Sequence, residues 1–526
     1  MFIRNVCRTA LYSAVGILAW TITSQYCAAS ANQEAHAPST KQPGLPADHS
    51  SALPSASSSY AKQAYVVDRY DTDYLFHADG TGEQFVTVEV RVQSQAGIQQ
   101  FGNISIAYIA DSQRAEIVYA RIRKPDGTVV NTPLGNIQDN AAPVTIQAPM
   151  YTTLRFKQLP VSNLNPGDTL EYRLHITRTR ADVPNQFWIA QNFIQTGIVL
   201  EESVRLRVPR QKYVQVVSAK VQPVVRNEDK EIVYEWKTSH LQDDEAVPNA
   251  PAKTDTTPSI QATTFENWQQ VGDWYRSLEE GRTAVTPEIR KKEEEITQGL
   301  VTDESKQQAI YAYVSTQFRY VGLSFGAGRY QPHTANEVLT NKFGDCKDKH
   351  TLFAALMKAA GYQVWPALIS SSTKIDASAP YPGQFDHVIS VLPQGSRLVW
   401  LDTTEEVAPF GMLAPILRDK QALVVPSNSE PELKTTPINP PFPESDMFTM
   451  KATLDSNAVL TGNARLTTRG DLELGLRAAF HATPEASWTK LTQNISYLIG
   501  FSGDVSQVQA DNPDNIVQPF SLEPIS

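Results

Sequence analysis

The chain has 526 residues, more than one hydrophobic core usually organises, so roughly two to four domains are expected. Hydrophobic residues at 41% and charged residues at 19% describe a globular chain, and 26 Gly with 34 Pro exclude a collagen-like or low-complexity one. The net charge of −10, with no long Lys/Arg cluster, argues against nucleic acid as a partner, and the lack of a second apolar run near ~18 residues excludes a polytopic membrane protein.

The N-terminus reads as an export signal. Arg4 and Arg8 precede an almost continuous apolar run from Ala10 to Ile22, and Ala29-Ser30-Ala31 offers a cleavage site. Residues 1–31 are therefore expected to be removed, leaving no membrane span, with the mature chain in the periplasm or outside the cell. Cys7 and Cys27 lie in that leader, so Cys346 is the single mature thiol. It can form no internal disulfide and reads either as an inert buried residue or as a nucleophile.

Residues 32–62 are rich in Ser, Ala and Pro and read as a disordered tether. Residues 63–240 carry a period of two: Val86, Val88, Val90 and Val92 alternate with Phe85, Thr87, Glu89 and Arg91, and turn signals such as Asp79-Gly80 separate such runs. That pattern predicts an antiparallel β-sandwich. Asp68, Asp71 and Asp73 lack the spacing of a calcium loop and read as solvated strand acids. Residues 241–262 read as a linker. Helices are predicted over Phe265–Leu278, from Thr286-Pro287, over Ser305–Phe318 and over Thr334–Leu339, within an α+β domain at 263–427. Residues 428–446 read as a Pro-rich spacer. Strands at Phe448–Leu454 and Val459–Thr467 and a helix at Pro484–Leu498 then make 447–526 a β-rich C-terminal domain, either small or incomplete.

Candidate chemistry gathers around the thiol. Leu352, Phe353, Leu356 and Ala359 mark a helix that ends at Gly361 and starts near Gly344-Asp345-Cys346. Cys346 then falls in the first turn, where free N–H groups and the helix dipole stabilise a thiolate, and its own N–H offers an oxyanion donor. Phe385–Leu392 and Leu398–Thr403 read as a hairpin. Centring its turn between Gln394 and Gly395 sets His387 directly opposite Asp402, with both side chains on one face. There the carboxylate could accept from imidazole Nδ1 and fix its tautomer. His350, one turn after Cys346, is a second candidate base. His333 reads as structural. A zinc site from Cys346, Asp345, Asp348 and His350 lacks a second soft ligand and a known spacing.

Cysteine on a helix, histidine on a strand and aspartate on the return strand are the parts of a thiol acyl-transfer site. Gly344-Asp345-Cys346-Lys347-Asp348, Phe385-Asp386-His387-Val388 and Trp400-Leu401-Asp402-Thr403 resemble the transglutaminase-like superfamily, whose fold is related to papain-like cysteine proteases. Arg329-Tyr330-Gln331-Pro332-His333 resembles bacterial members, and the upstream β-domain is similar to a domain of unknown function often found before such a core. The resemblance implies Cys346 as nucleophile, His387 as base and acid and Asp402 as orienter, with Gln331 a candidate second oxyanion donor and with no cofactor or metal. It implies a cysteine peptidase or transglutaminase-like acyltransferase acting on a protein or peptide, a cell-envelope peptide among the candidates. The other class is a non-catalytic binding module of the same fold.

Overall fold

The computed structural model describes residues 60–148, 150–242, 257–323, 330–498 and 500–525. The expected leader and nearly all of the expected tether lie outside the described residues. The chain forms two compact units. One holds the described residues up to Asn267 together with Ala377–Tyr381, and the other holds Trp268–Asp376 and the residues from Pro382 onward.

The first unit is mostly β, as the alternation of valines requires. Its largest sheet has eight strands, and two three-stranded sheets complete it. Strand Tyr65–Phe76 pairs antiparallel with Gly82–Val92 on one side but parallel with Ile198–Pro209 on the other, so the sheet is mixed and not purely antiparallel. A register shift between Val67 and Arg69 changes which residues face inward, and Val67 and Tyr70 both pack with Val88 and Val90. The end of the expected 241–262 linker is strand: Ile260–Thr263 pairs with Trp188–Gln191 and Gln215–Val217. The Ala377–Tyr381 segment joins this small sheet. Thr263 Oγ1 donates to Pro380 O at 2.7 Å, Gln215 Nε2 to Ser378 O at 2.6 Å, and Tyr381 OH to Gln261 Oε1 at 2.9 Å. Asp68, Asp71 and Asp73 pair with Arg91, Arg69 and Arg205.

The second unit begins with helices Trp268–Glu279, Pro287–Thr297, Asp303–Gln317 and Ala335–Asn341. Thr286, Thr302 and Thr334 cap three of them by accepting from backbone N–H groups, the job for which a threonine before a helix is suited. The last three of these pack with a further helix, Cys346–Ala359, around Ile310, Val314, Leu352, Phe353 and Leu356. An antiparallel five-stranded sheet follows, in the order Arg397–Leu401, His387–Gln394, Trp365–Ile369, Gln421–Val424, Glu432–Thr435. Its last strand lies in the expected Pro-rich spacer, and Phe442 from the same stretch packs against the helical core, so the segment is not a free spacer. Strands Ser445–Leu454, Leu460–Arg469, Gln507–Ala510 and Phe520–Ile525 form a last sheet. Helix Trp488–Leu498 is joined there by Asp471–His481, a helix the periodicity reading did not assign, and Arg418 pairs with its Asp471.

Candidate active site

The site starts where the cysteine helix, Cys346–Ala359, leaves a short strand. A Cβ on Gly344 would sit 2.8 Å from Asp348 Cβ, so only glycine lets the chain pass its own first turn this closely. Asp345 is the N-cap and accepts from Asp348 N at 3.2 Å. Cys346 is the first helical residue, as expected, and is 0% exposed.

Its surroundings are not those of an inert apolar cysteine. Every residue from Cys346 to Met357 is buried, charged ones included, and charges are rarely buried without partners. The Lys347 ammonium pairs with the Asp345 carboxylate. Asp348 accepts from His333 N at 2.8 Å and from His333 Nδ1 at 3.0 Å. Lys349 donates to Ser315 O at 3.0 Å and Phe318 O at 2.8 Å. Burial pushes Asp345 up to about 6 against the pull of Lys347, and pushes Lys349 down to about 8. These side chains turn to separate partners and do not form the zinc cluster weighed above. Among the described residues no three His, Cys, Asp or Glu side chains converge as metal ligands.

The histidine and aspartate arrive by a hairpin whose register differs from the expected one. The ladder pairs Ser390 with Leu401 and Gln394 with Arg397, so the turn is Gly395-Ser396, two residues, with Gly395 at φ 61°. That is the positive φ a Gly-first hairpin turn demands. The rungs are displaced by two from the expected pairing. Asp402 is therefore not directly opposite His387. Extended onward, the ladder would place it diagonally from His387, still on the same face, because a shift of two preserves side-chain parity. The pairing ends at Leu401, and the free chain brings Asp402 in: its Oδ2 lies 2.9 Å from His387 Nε2. The expected contact through Nδ1 is thus corrected to one through Nε2.

Thr404 holds the carboxylate and Tyr311 the backbone carbonyl of Asp402. Thr404 N and Oγ1 donate to Asp402 Oδ1 at 2.9 and 2.7 Å, and Tyr311 OH donates to Asp402 O at 3.1 Å. His387 is 7% exposed. Burial alone would lower its pKa, but the charge and hydrogen bond of Asp402, followed by a hydrogen bond and charge interaction with Cys346, hold it well above 6.5. Burial pulls Asp402 up, but the His387 charge and hydrogen bond and the Thr404 donors leave it below its usual value. Glu405 beside it is pushed up to about 7 by burial and by the Asp402 charge. His387 and Asp402 therefore come together, and Cys346 interacts electrostatically with His387. The sequence reading did not single out Thr404 or Tyr311. Thr404 could have been read from Asp402-Thr403-Thr404, since a Thr two residues after an Asp at a strand end is a common turn partner.

The remaining candidates separate. Gln331 is exposed and lies two residues before His333, whose backbone is anchored on Asp348 in the first turn of the cysteine helix. His350 does not serve Cys346 as base: its Nδ1 lies 2.8 Å from Ser390 Oγ, and its Nε2 faces Glu279 Oε1 at 3.4 Å.

Comparison with known proteins agrees with this architecture. Residues 290–367 match the model of the transglutaminase-like superfamily, and residues 78–244 match a domain of unknown function, DUF3857. The core match includes Cys346 and ends ahead of His387 and Asp402. A crystal structure of a putative protease from Parabacteroides distasonis is similar, with a TM-score of 0.59 and 16% identity over 72% of each chain, which establishes the fold. A putative cysteine protease from Cytophaga hutchinsonii aligns over 48% of this chain and 80% of its own at 14% identity, with a TM-score of 0.23, too low to carry an argument. No curated protein matches.

Proposed function

We propose, for a chain that carries a transglutaminase-like core behind a DUF3857 domain, that it is an exported thiol acyltransferase or cysteine peptidase acting on amide bonds of peptides or glutamine-type side chains. The observation that carries this reading is His387, held by Asp402 at 2.9 Å through Nε2, with its charge interacting with Cys346. With Nε2–H donating to Asp402, Nδ1 is the nitrogen free to take the Cys346 proton. The sulfur then attacks the amide carbonyl carbon, forming a C–S bond and an oxyanion that the Cys346 N–H can stabilise. Gln331 is the candidate second donor. Collapse of the intermediate breaks the C–N bond, and the imidazolium returns the proton to the departing amine or ammonia. Water or a second amine, deprotonated by the same imidazole, releases the acyl group from the thioester. A protein or peptide substrate follows from this chemistry, with cell-envelope peptides as candidates given the leader.

The complete burial of Cys346 favours a second reading, a binding module that keeps the fold without turnover. Labelling separates the two. Iodoacetamide at low concentration should label Cys346 of the native protein by way of transient opening, a peptide acyl donor should protect it, and His387→Ala should slow it by orders of magnitude. A native thiol that labels only after denaturation would leave the binding module. Export is tested separately: expression in a Gram-negative host should yield periplasmic or secreted protein beginning at Asn32.

A further inference from the structure

His350 is fully buried on the cysteine helix, one turn beyond Cys346, and the reaction proposed above does not use it. Its Nδ1 lies 2.8 Å from Ser390 Oγ. Ser390 is itself fully buried, three residues beyond His387, in the second strand of the five-stranded sheet, where it pairs with Pro366 on one side and Leu401 on the other. The Ser390–Leu401 rung is the last of the hairpin before the chain departs to deliver Asp402. One hydrogen bond therefore ties the helix that carries the thiol to the rung from which both other groups extend.

We propose that His350 is a positioning residue: through Ser390 it sets the distance between Cys346 and the hairpin that carries His387 and Asp402. This rests on the triad reading and deepens it. The other side of the ring supports the assignment. Nε2 faces Glu279 Oε1 at 3.4 Å, and neither atom has a hydrogen-bond partner among the described residues. Both residues line a cavity of about 790 Å³ whose walls include Ala354, Val364, Pro366 and Val425. A buried imidazole bound firmly on one side only has its orientation set by that side, so Ser390 decides how the ring and its helix sit. Burial also lowers His350 to about 3 and raises Glu279 to about 8, so a neutral ring meets a largely protonated acid, and the contact is a polar one without ionic attraction.

The test uses the full chain and the rate at which low concentrations of iodoacetamide label Cys346 at pH 7, with the thermal midpoint measured alongside. His350→Leu and Ser390→Ala should each slow labelling about tenfold or more, whereas His350→Asn, whose amide nitrogen occupies the place of Nδ1, should stay within about threefold of the parent. Ser390→Ala removes one oxygen and keeps the ring, which guards against a variant that simply fails to fold. Unchanged labelling in folded His350→Leu and Ser390→Ala, with only the thermal midpoint lowered, would make His350 an ordinary core residue and overturn the proposal. Unchanged labelling in His387→Ala would instead overturn the triad on which it rests.

Discussion

Charge is placed differently in two regions, the ion pairs along the eight-stranded sheet and the start of the cysteine helix. On the eight-stranded sheet, Arg69 pairs with Asp71 at 2.5 Å, Arg91 with Asp68 at 2.8 Å and Arg226 with Glu235 at 2.7 Å, each with at least one partly exposed partner. Such pairs contribute about 0–1 kcal/mol each, because water competes for both ends. At the start of the cysteine helix, Asp345, Lys347, Asp348, Lys349 and His350 are all buried. Desolvating an ion costs several kcal/mol, and a hydrophobic replacement of similar size often does as well for stability. A fold that needed only stability could dispense with this cluster. It surrounds Cys346, whereas the three sheet pairs named above stay within reach of water.

The contrast can be broken or sharpened by substitution. The largest effect is expected at Asp402. Asp402→Asn keeps the shape but offers an amide where His387 Nε2–H needs an acceptor, so turnover should fall by about 10³–10⁴ with little change in thermal midpoint. Retained activity would remove Asp402 from the site. Next comes Lys347→Met, which leaves the Asp345 carboxylate buried without its ammonium and should destabilise the fold by about 3–5 kcal/mol in denaturant titration. Asp345→Asn combined with Lys347→Met should recover most of that loss, since Asn still caps the helix. A single variant within measurement error of the parent would show that the cluster is not desolvated as described.

An intermediate case is His481, half exposed, which lies 3.2 Å from Glu406 and 2.7 Å from Asp514. Its hydrogen bond to Glu406, then the bond to Asp514, raise it from 6.5 to about 9. The folded state thus holds a proton that the unfolded chain releases at lower pH, so this stabilisation is complete below about 6.5 and is lost as pH rises through 9. The thermal midpoint should decline modestly over that window, and His481→Gln should flatten the decline. An identical pH profile in the variant would assign the decline elsewhere. The smallest effect belongs to the sheet: Arg69→Ala should change stability by less than about 1 kcal/mol. A loss comparable to that of Lys347→Met would erase the distinction between the sheet pairs and the helix cluster.

Local signals carried much of this structure. The Thr-capped helix starts, the alternating valines and the thiol at a helix N-terminus were legible because each depends on residues close in sequence. The hairpin shows where that reach stops. His387 and Asp402 share a face in both registers, since the two differ by an even step, so the pairing of residues was legible while the rungs were not. Gly395-Ser396 could have fixed the turn, because a Gly-first two-residue loop is a standard hairpin turn. Which imidazole nitrogen meets Asp402 depends on where the strand frays, and that is not local. Nor are the parallel pairing of Tyr65–Phe76 with Ile198–Pro209 or the packing of Glu432–Thr435 onto the core sheet. The helix Asp471–His481 escaped notice although Gly470 precedes it and Asp471 and Glu473 occupy its first turn.

The burial of Cys346 governs how an oxidant could reach it. A thiol with no exposed surface meets hydrogen peroxide or a foreign disulfide only during excursions that uncover it. At low oxidant the rate of loss scales with concentration multiplied by the small open fraction. At high oxidant it reaches a plateau equal to the opening rate itself, and adding more reagent no longer hastens inactivation. The opening rate thus sets an upper limit on how fast this thiol can be lost.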